Sequence, residues 1–232
     1  MNKFKHYSFD LWLTLIKSNP AFKIERAKFF HKNLNTKKKS IEVVSSIFRQ
    51  VDLMCNSINE KTGKNIDSDE MYLMVISLIN DFEKPFIDIS LDWLYEEMEL
   101  LVFSYMPHIY SNDTLDVLNK LKQQNNTTFN ISSNTAFIKG KTIRTILSEL
   151  SLLPFFDFHI YSDEINLSKP DKRFFEIMLS SVRNIACNKD ILLNEIIHVG
   201  DNPIADIAGA LSVGIKTIQI NSNNTTILDL LK

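Results

Sequence analysis

From Pro107 onward one pattern recurs: an amphipathic segment of helix length, then a short apolar run. Nothing else in the chain restricts the fold as strongly. Helical spacing over 113–124 leads into a strand at 127–133, 137–150 into 156–161, 171–182 into 195–199, and 203–213 into 215–220. A short helix at 225–231 follows. Strands separated by helices of about 10–15 residues pair in parallel through right-handed crossovers. One more strand lies upstream, where FKHYSFD (residues 4–10) alternates and ends on an acid. Between these parts, residues 20–106 contain a single glycine, Gly63, and read as helices. Phe22, Ala27, Phe30 and Leu34 recur at helical spacing. Ser40 is a predicted N-cap for 41–59, where Val44, Ile47, Phe48, Val51 and Met54 share a face. Further helical runs cover 70–82 and 91–106, the second opened by Ser90 and stopped by Pro107. The expected fold is α/β: a doubly wound parallel sheet with an inserted α-helical cap. The core would be residues 1–16 and 108–232, and the cap residues 17–107.

Composition narrows the function classes. Hydrophobic residues make up 44% of 232, enough for a real core. A net charge of −2 gives no general attraction to nucleic acid or anionic lipid. Cys55 and Cys187 offer neither a disulfide framework nor zinc spacing, and a reducing cytoplasm fits. The opening MNKFKHYSFDLWLTL lacks the apolar stretch of a signal peptide, and no segment approaches the roughly 18 apolar residues of a membrane span. Lys37-Lys38-Lys39 reads as a solvated loop, and the oligomeric state is left open.

Open parallel sheets bind ligands at the carboxyl ends of their strands. The first strand delivers Asp10, then Leu11, Trp12, Leu13 and Thr14. The second delivers Ser133 and Asn134, and the third is followed by Tyr161–Asp163 and Lys169-Pro170. The fourth delivers Gly200 and Asp201, with Asp206 one turn on. Carboxylates, one lysine and small hydroxyl donors suit a phosphate ester with a divalent cation.

The same segments resemble the haloacid dehalogenase superfamily, in the group with a helical cap after the first strand. FDLWLTL resembles the nucleophile motif D-x-D-x-T, and ISSNT the second motif. SDEINLSKPD resembles the third, and HVGDNPIADIAGA the fourth, G-D-x-x-x-x-D. The resemblance implies a nucleophilic Asp10 that forms an aspartyl-phosphate later hydrolysed by water. It implies Mg²⁺ bound by Asp10, Asp201 and the backbone carbonyl of Trp12. Lys169, Ser133 and Asn134 would hold the phosphoryl oxygens, with Lys169 also keeping Asp10 ionised. Asp206 would orient Lys169 or a metal-bound water. The expected substrate is a small phosphorylated molecule.

Two residues depart from the pattern. Phosphatases of the superfamily carry an acid two residues after the nucleophile, where this chain has Trp12; Leu13 replaces the usual glycine. Dehalogenases of the superfamily have a tyrosine at the Trp12 position, but lack the metal and have serine where Asp201 stands. Three readings follow: a slow Mg²⁺-dependent phosphatase, a metal-free hydrolytic dehalogenase using Asp10, or a catalytically weak phosphate-binding or regulatory protein. Trp12 reads equally as a packing residue under the cap or a substrate contact. His198 reads as a satisfied core residue. Phe29, Phe30, Phe48, Trp93 and Tyr95 read mostly as cap core.

Overall fold

The computed structural model describes residues 4–83, 88–123 and 127–232. Its strands are β1 (His6–Phe9), β2 (Ile16–Lys17), β3 (His108–Ile109), β4 (Thr128–Ser133), β5 (Phe158–Tyr161), β6 (Ile196–Gly200) and β7 (Lys216–Gln219). Five of them form a parallel sheet in the order β5-β4-β1-β6-β7. The first strand lies at the centre and the chain winds outward on either side of it, which is the doubly wound arrangement. Phe9 stands opposite Ile131 on one side and Val199 on the other, so the chain ends that follow these strands emerge together.

The helices are α1 (Pro20–Asn33), α2 (Ile41–Thr62), α3 (Ser68–Ile79), α4 (Leu91–Ser104), α5 (Thr114–Lys122), α6 (Gly140–Glu149), α7 (Ser162–Ile165), α8 (Lys172–Asn184) and α9 (Gly209–Leu211). The expected helix at 113–124 corresponds to α5; Gln124 lies outside the described residues. The expected helix at 203–213 begins instead as a π-turn, Pro203–Ala208. Among the described residues no helix is long and apolar enough to cross a membrane.

Helices α1–α4 share an apolar cluster that includes Phe30, Phe48, Tyr72, Leu94, Tyr95 and Met98. Phe137, from the loop after β4, inserts into it. Of the five aromatic residues expected mostly in this cluster, Trp93 is the outlier, 40% exposed. Ser40 caps α2 through the Val43 N–H at 3.4 Å. The helix runs to Thr62, where Gly63 stops it in the left-handed region at φ 69°. A Cβ on Gly63 would also lie 2.0 Å from Asp171, so this glycine lets the α2–α3 loop settle on the loop before α8. The antiparallel β2–β3 ribbon pairs Ile16 with Ile109 and Lys17 with His108. It joins the strands that enter and leave the helical block and has no counterpart in the expected elements.

Period-two alternation sorts the central strands into two faces. Tyr7, Phe9, Phe129, Ile131 and Val199 belong to one apolar cluster. The alternate positions, His6, Ser8, Asn130, Ser132 and His198, are buried and polar. They satisfy one another: Ser8 Oγ donates to Ser132 Oγ at 3.2 Å, Asn130 Nδ2 to the same oxygen at 2.8 Å, and His198 Nδ1 meets Ser8 Oγ at 2.9 Å. Asn130 also donates to the Ile131 carbonyl, so its Oδ1 must accept from His6 Nε2 at 2.8 Å. That bond fixes the neutral His6 tautomer, whose Nδ1 faces Thr128 Oγ1 at 2.8 Å.

Burial pushes His6 down from 6.5 to about 4. Between those values the unfolded chain binds a proton that the native chain refuses, so His6 lowers stability as pH falls through this window. The loss at pH 5 should be about 2 kcal/mol. His6→Gln keeps a donor for Asn130 and removes the titration. The variant should regain about 2 kcal/mol relative to the parent between pH 7.5 and pH 5. Urea unfolding of both proteins at the two pH values measures this, and the difference cancels other titrating groups. A constant gap between the two proteins would contradict a neutral buried His6.

Candidate active site

Asp10 follows β1 directly, and its backbone N–H donates to the Val199 carbonyl at 2.8 Å, which docks the turn against β6. The turn then doubles back, with Leu13 N–H on Ile16 O at 2.7 Å and Leu15 N–H on Leu11 O at 2.9 Å. To do so it needs Leu13 at φ 62°, a left-handed conformation that costs a non-glycine residue about 1–2 kcal/mol. The structural reason for the usual glycine is therefore present, but leucine occupies the position, 53% exposed. The turn brings Thr14 Oγ1 to Asp10 Oδ2, donating at 3.0 Å.

Lys169 approaches from the loop before α8 and is 1% exposed. Its three ammonium protons match three acceptors: Asp10 Oδ1 at 2.7 Å, Asp206 Oδ1 at 2.6 Å and the Ser132 carbonyl at 2.7 Å. The loop is held by Asn134, whose amide accepts from Lys169 N–H at 2.8 Å and donates to Lys169 O at 2.9 Å. Asp206 is positioned by the π-turn. Asn202 Oδ1 accepts from Ile204 and Ala205 N–H, and Asp206 Oδ2 accepts from Asn202 N–H at 3.0 Å. His198 Nε2 stands 3.3 Å from Asp206 Oδ1. Any Cβ on Gly200 would lie 2.3 Å from the Asp206 carboxyl carbon, so only glycine admits this close approach.

Carboxylate oxygens of Asp10, Asp201 and Asp206 lie within 4.8 Å of one another. Lys169 alone cannot balance three acids. Burial is the largest influence on Asp10, with Asp206 and Asp201 adding to it, and together they push it up to about 7 against the pull of Lys169. Burial and Asp206 push Asp201 up to about 6. Burial also opposes ionisation of Asp206, but Lys169 and His198 outweigh it and hold the carboxyl well below its usual range. Lys169 itself is raised, because Asp10 and Asp206 overcome its burial. A half-buried acid beside two others is the chemistry of a site for a hard cation, so the residues fit Mg²⁺.

These strand-end residues fall inside a longer match. The model of the haloacid dehalogenase-like hydrolases matches residues 9–220. The chain belongs to that family. This hydrolase is 30% identical over 78 residues to the pyrimidine 5′-nucleotidase YjjG of Escherichia coli (strain K12). The alignment covers 34% of this chain and only 32% of that relative. Among solved structures, YfnB from Bacillus subtilis, described as a HAD-hydrolase bound to magnesium, superposes with a TM-score of 0.70 at 16% identity, covering 96% of this chain and 91% of that one. A HAD phosphatase from Thermococcus onnurineus gives 0.64 at 21% identity over 95% and 88%. L-2-haloacid dehalogenase from Xanthobacter autotrophicus gives 0.60 at 15% over 94% and 77%. At these identities the structural likenesses establish the fold and leave the reaction to the site.

The hydrolase carries a cleft of about 370 Å³ between the strand ends and the helical block, a size suited to a small molecule. Asp10, Trp12, Leu13, Asn134, Lys169, Asp201 and Asp206 line it from below. Phe22, Lys23, Arg26, Arg49, Asp52, Asn56 and Glu60 line it from the helical side. Ser133 is fully buried, donates to the Asn134 carbonyl at 3.2 Å, and is absent from the lining. Asn134 lines the cleft with its amide engaged on the Lys169 backbone. Trp12 is half-buried, packs against the sheet core and also lines the cleft. Sequence reading did not single out Arg26, Glu60 or Asn202. Glu60 accepts from Asn202 Nδ2 at 3.3 Å, a contact between α2 and the loop after β6 that no local pattern announces.

Proposed function

We propose that this hydrolase is a Mg²⁺-dependent phosphatase that cleaves a small phosphorylated metabolite through an aspartyl-phosphate. The observation that carries the reading is Asp201. With Asp10 and Asp206 it makes three carboxylates against one ammonium, in a largely buried site. Such a surplus is costly and would repel a phosphate dianion unless a cation offsets it. Asp10, Asp201 and the Trp12 backbone carbonyl are the proposed ligands. The oxygens of Asp206 are engaged by Lys169, His198 and the Asn202 N–H. A divalent cation bound there supplies Lewis-acid neutralisation of the phosphoryl oxygens.

The chain's own residues do the rest. Lys169 holds one oxygen of the Asp10 carboxylate and Thr14 the other, which fixes the orientation of the nucleophile. Asp10 attacks phosphorus, the bond from phosphorus to the ester oxygen breaks and that oxygen takes its proton from water; a second water then hydrolyses the acyl phosphate and frees the carboxylate. Asp206 keeps the Lys169 ammonium in place. In this reading Ser133 acts through the backbone it braces rather than through a hydroxyl in the cleft. Residues 17–107 act as the cap and 1–16 with 108–232 as the catalytic core. Contacts between them, such as Lys139 Nζ to Asp69 at 2.9 Å and Ser162 Oγ to Asn65 at 2.7 Å, would have to part for the cleft to open. The partial likeness to a pyrimidine 5′-nucleotidase keeps nucleotides within the substrate class.

Phosphate release from a panel of phosphate esters, with Mg²⁺ and with a chelator, tests the reading. Release that requires Mg²⁺ is the expected result. Chelator-insensitive release of halide from 2-halo acids would replace it with dehalogenation. Absence of any turnover would leave a phosphate-binding protein.

A further inference from the structure

Arg26 projects from α1 into the helical side of the cleft and is 7% exposed. Its guanidinium carbon lies 4.2 Å from the ring centroid of Phe48, 4.3 Å from that of Phe137 and 5.1 Å from that of Phe22. Aromatic faces attract a cation but offer it no hydrogen-bond acceptor. The Arg26 Nε is buried without a partner. Among the described residues Arg26 makes no ion pair; Asp52, which faces the same cleft, is bonded to Arg49 at 3.2 Å and reaches Arg26 only through its charge. Tyr72 stands beside it: its hydroxyl donates to the Phe137 carbonyl at 3.1 Å and accepts from the Arg26 guanidinium, a neutral partner that leaves the charge itself unbalanced. The contrast with Lys169 is sharp: that buried cation is matched by two carboxylates. A buried charge is ordinarily paired, and an unpaired one facing a cleft calls for a partner from outside the chain.

We infer that Arg26 binds a second anionic group of the substrate, a carboxylate or a second phosphate, on the part that leaves as the alcohol. This inference rests on the phosphatase reading. The phosphoryl group being cleaved must sit at the strand ends beside Asp10, so a cation on the opposite wall recognises the remainder of the molecule. An uncharged sugar or nucleoside would bury the guanidinium without neutralising it. Planar in-line donors match carboxylate and phosphate oxygens, and the surrounding rings exclude the water that would weaken the contact.

The test compares 3-phosphoglycerate with glycerol 3-phosphate, which differ by a carboxylate against a hydroxymethyl group; propane-1,3-diol bisphosphate adds a second phosphate. With Mg²⁺ present, the parent should prefer at least one of the two acidic esters over glycerol 3-phosphate by about 10- to 100-fold in kcat/KM. Arg26→Met should erase that preference, chiefly through KM. A parent without the preference, or a variant that retains it, overturns the inference. Binding supplies a second readout that needs neither turnover nor a folded Arg26 variant. In the Asp10→Asn protein, the same acidic ester should raise Tm more than glycerol 3-phosphate does at equal concentration, and equal shifts overturn the inference. Turnover of p-nitrophenyl phosphate by the parent tests the phosphatase reading separately, so the two failures are distinguishable.

Discussion

Asp10→Asn is expected to reduce phosphate release by roughly 10⁴–10⁶-fold, the scale seen when a covalent nucleophile is removed. The amide has nearly the volume of the acid, can still accept from Lys169 through its oxygen while its NH2 donates to Thr14 Oγ1, and cannot form the acyl phosphate. The fold should survive, because Lys169 keeps Asp206 and the Ser132 carbonyl as partners. Without divalent cation the variant should be at least as stable as the parent. The native site crowds three acids around one ammonium, and the substitution removes one of those charges. Mg²⁺ should raise the melting temperature of the parent more than that of the variant, since a proposed ligand has lost its charge. Turnover and thermal unfolding of both proteins, with and without Mg²⁺, measure all of this. Equal turnover would remove Asp10 from the mechanism.

The sheet and the position of its polar end were legible because both depend on short-range patterns. Alternating apolar positions pointed to β1 and short runs between helical segments to β4 and β6, and the acids after Phe9 and Gly200 converge because those strands are neighbours. The departures from expectation have local physical causes. A ribbon of two residues per strand, like β2–β3, is too short to show periodicity. The segment from Pro203 carries helix-forming residues. Yet Asn202 caps two N–H groups and Asp206 folds back onto the Asn202 N–H, and the widened turn reaches Lys169. Ser132 and Ser133 could not be told apart in function by sequence. The register gives Ser132 the face of Ser8 and Asn130, where its hydroxyl is consumed, and Ser133 turns to the Asn134 carbonyl. Nothing in the sequence singles out Arg26 from the other charges on its helix. Its burial arises from Phe48 and Phe137, 22 and 111 positions away, and no local signal reports such a pairing.

Trp12 sets the second large expected effect. An acid at this position would protonate the leaving oxygen, and an indole cannot. Esters whose leaving group needs no proton should therefore suffer least. Aryl and acyl phosphates should be hydrolysed about 10²–10⁴-fold faster than alkyl phosphates, the factor a positioned general acid supplies. Trp12→Asp should narrow that gap by raising the alkyl rate. The substitution also removes a half-buried ring packed on the core, at a cost of about 1–3 kcal/mol, so unfolding must be followed alongside rate. Parent and variant are compared on p-nitrophenyl phosphate and glycerol 3-phosphate at fixed Mg²⁺. Equal parent rates on the two esters would mean that another group donates the proton. Asp52 and Glu60 are the carboxylates on the opposite wall of the cleft, and Glu60 already reaches Asn202, the neighbour of Asp201. Glu60→Gln would then slow glycerol 3-phosphate selectively, and the assignment of the missing acid to Trp12 would fall.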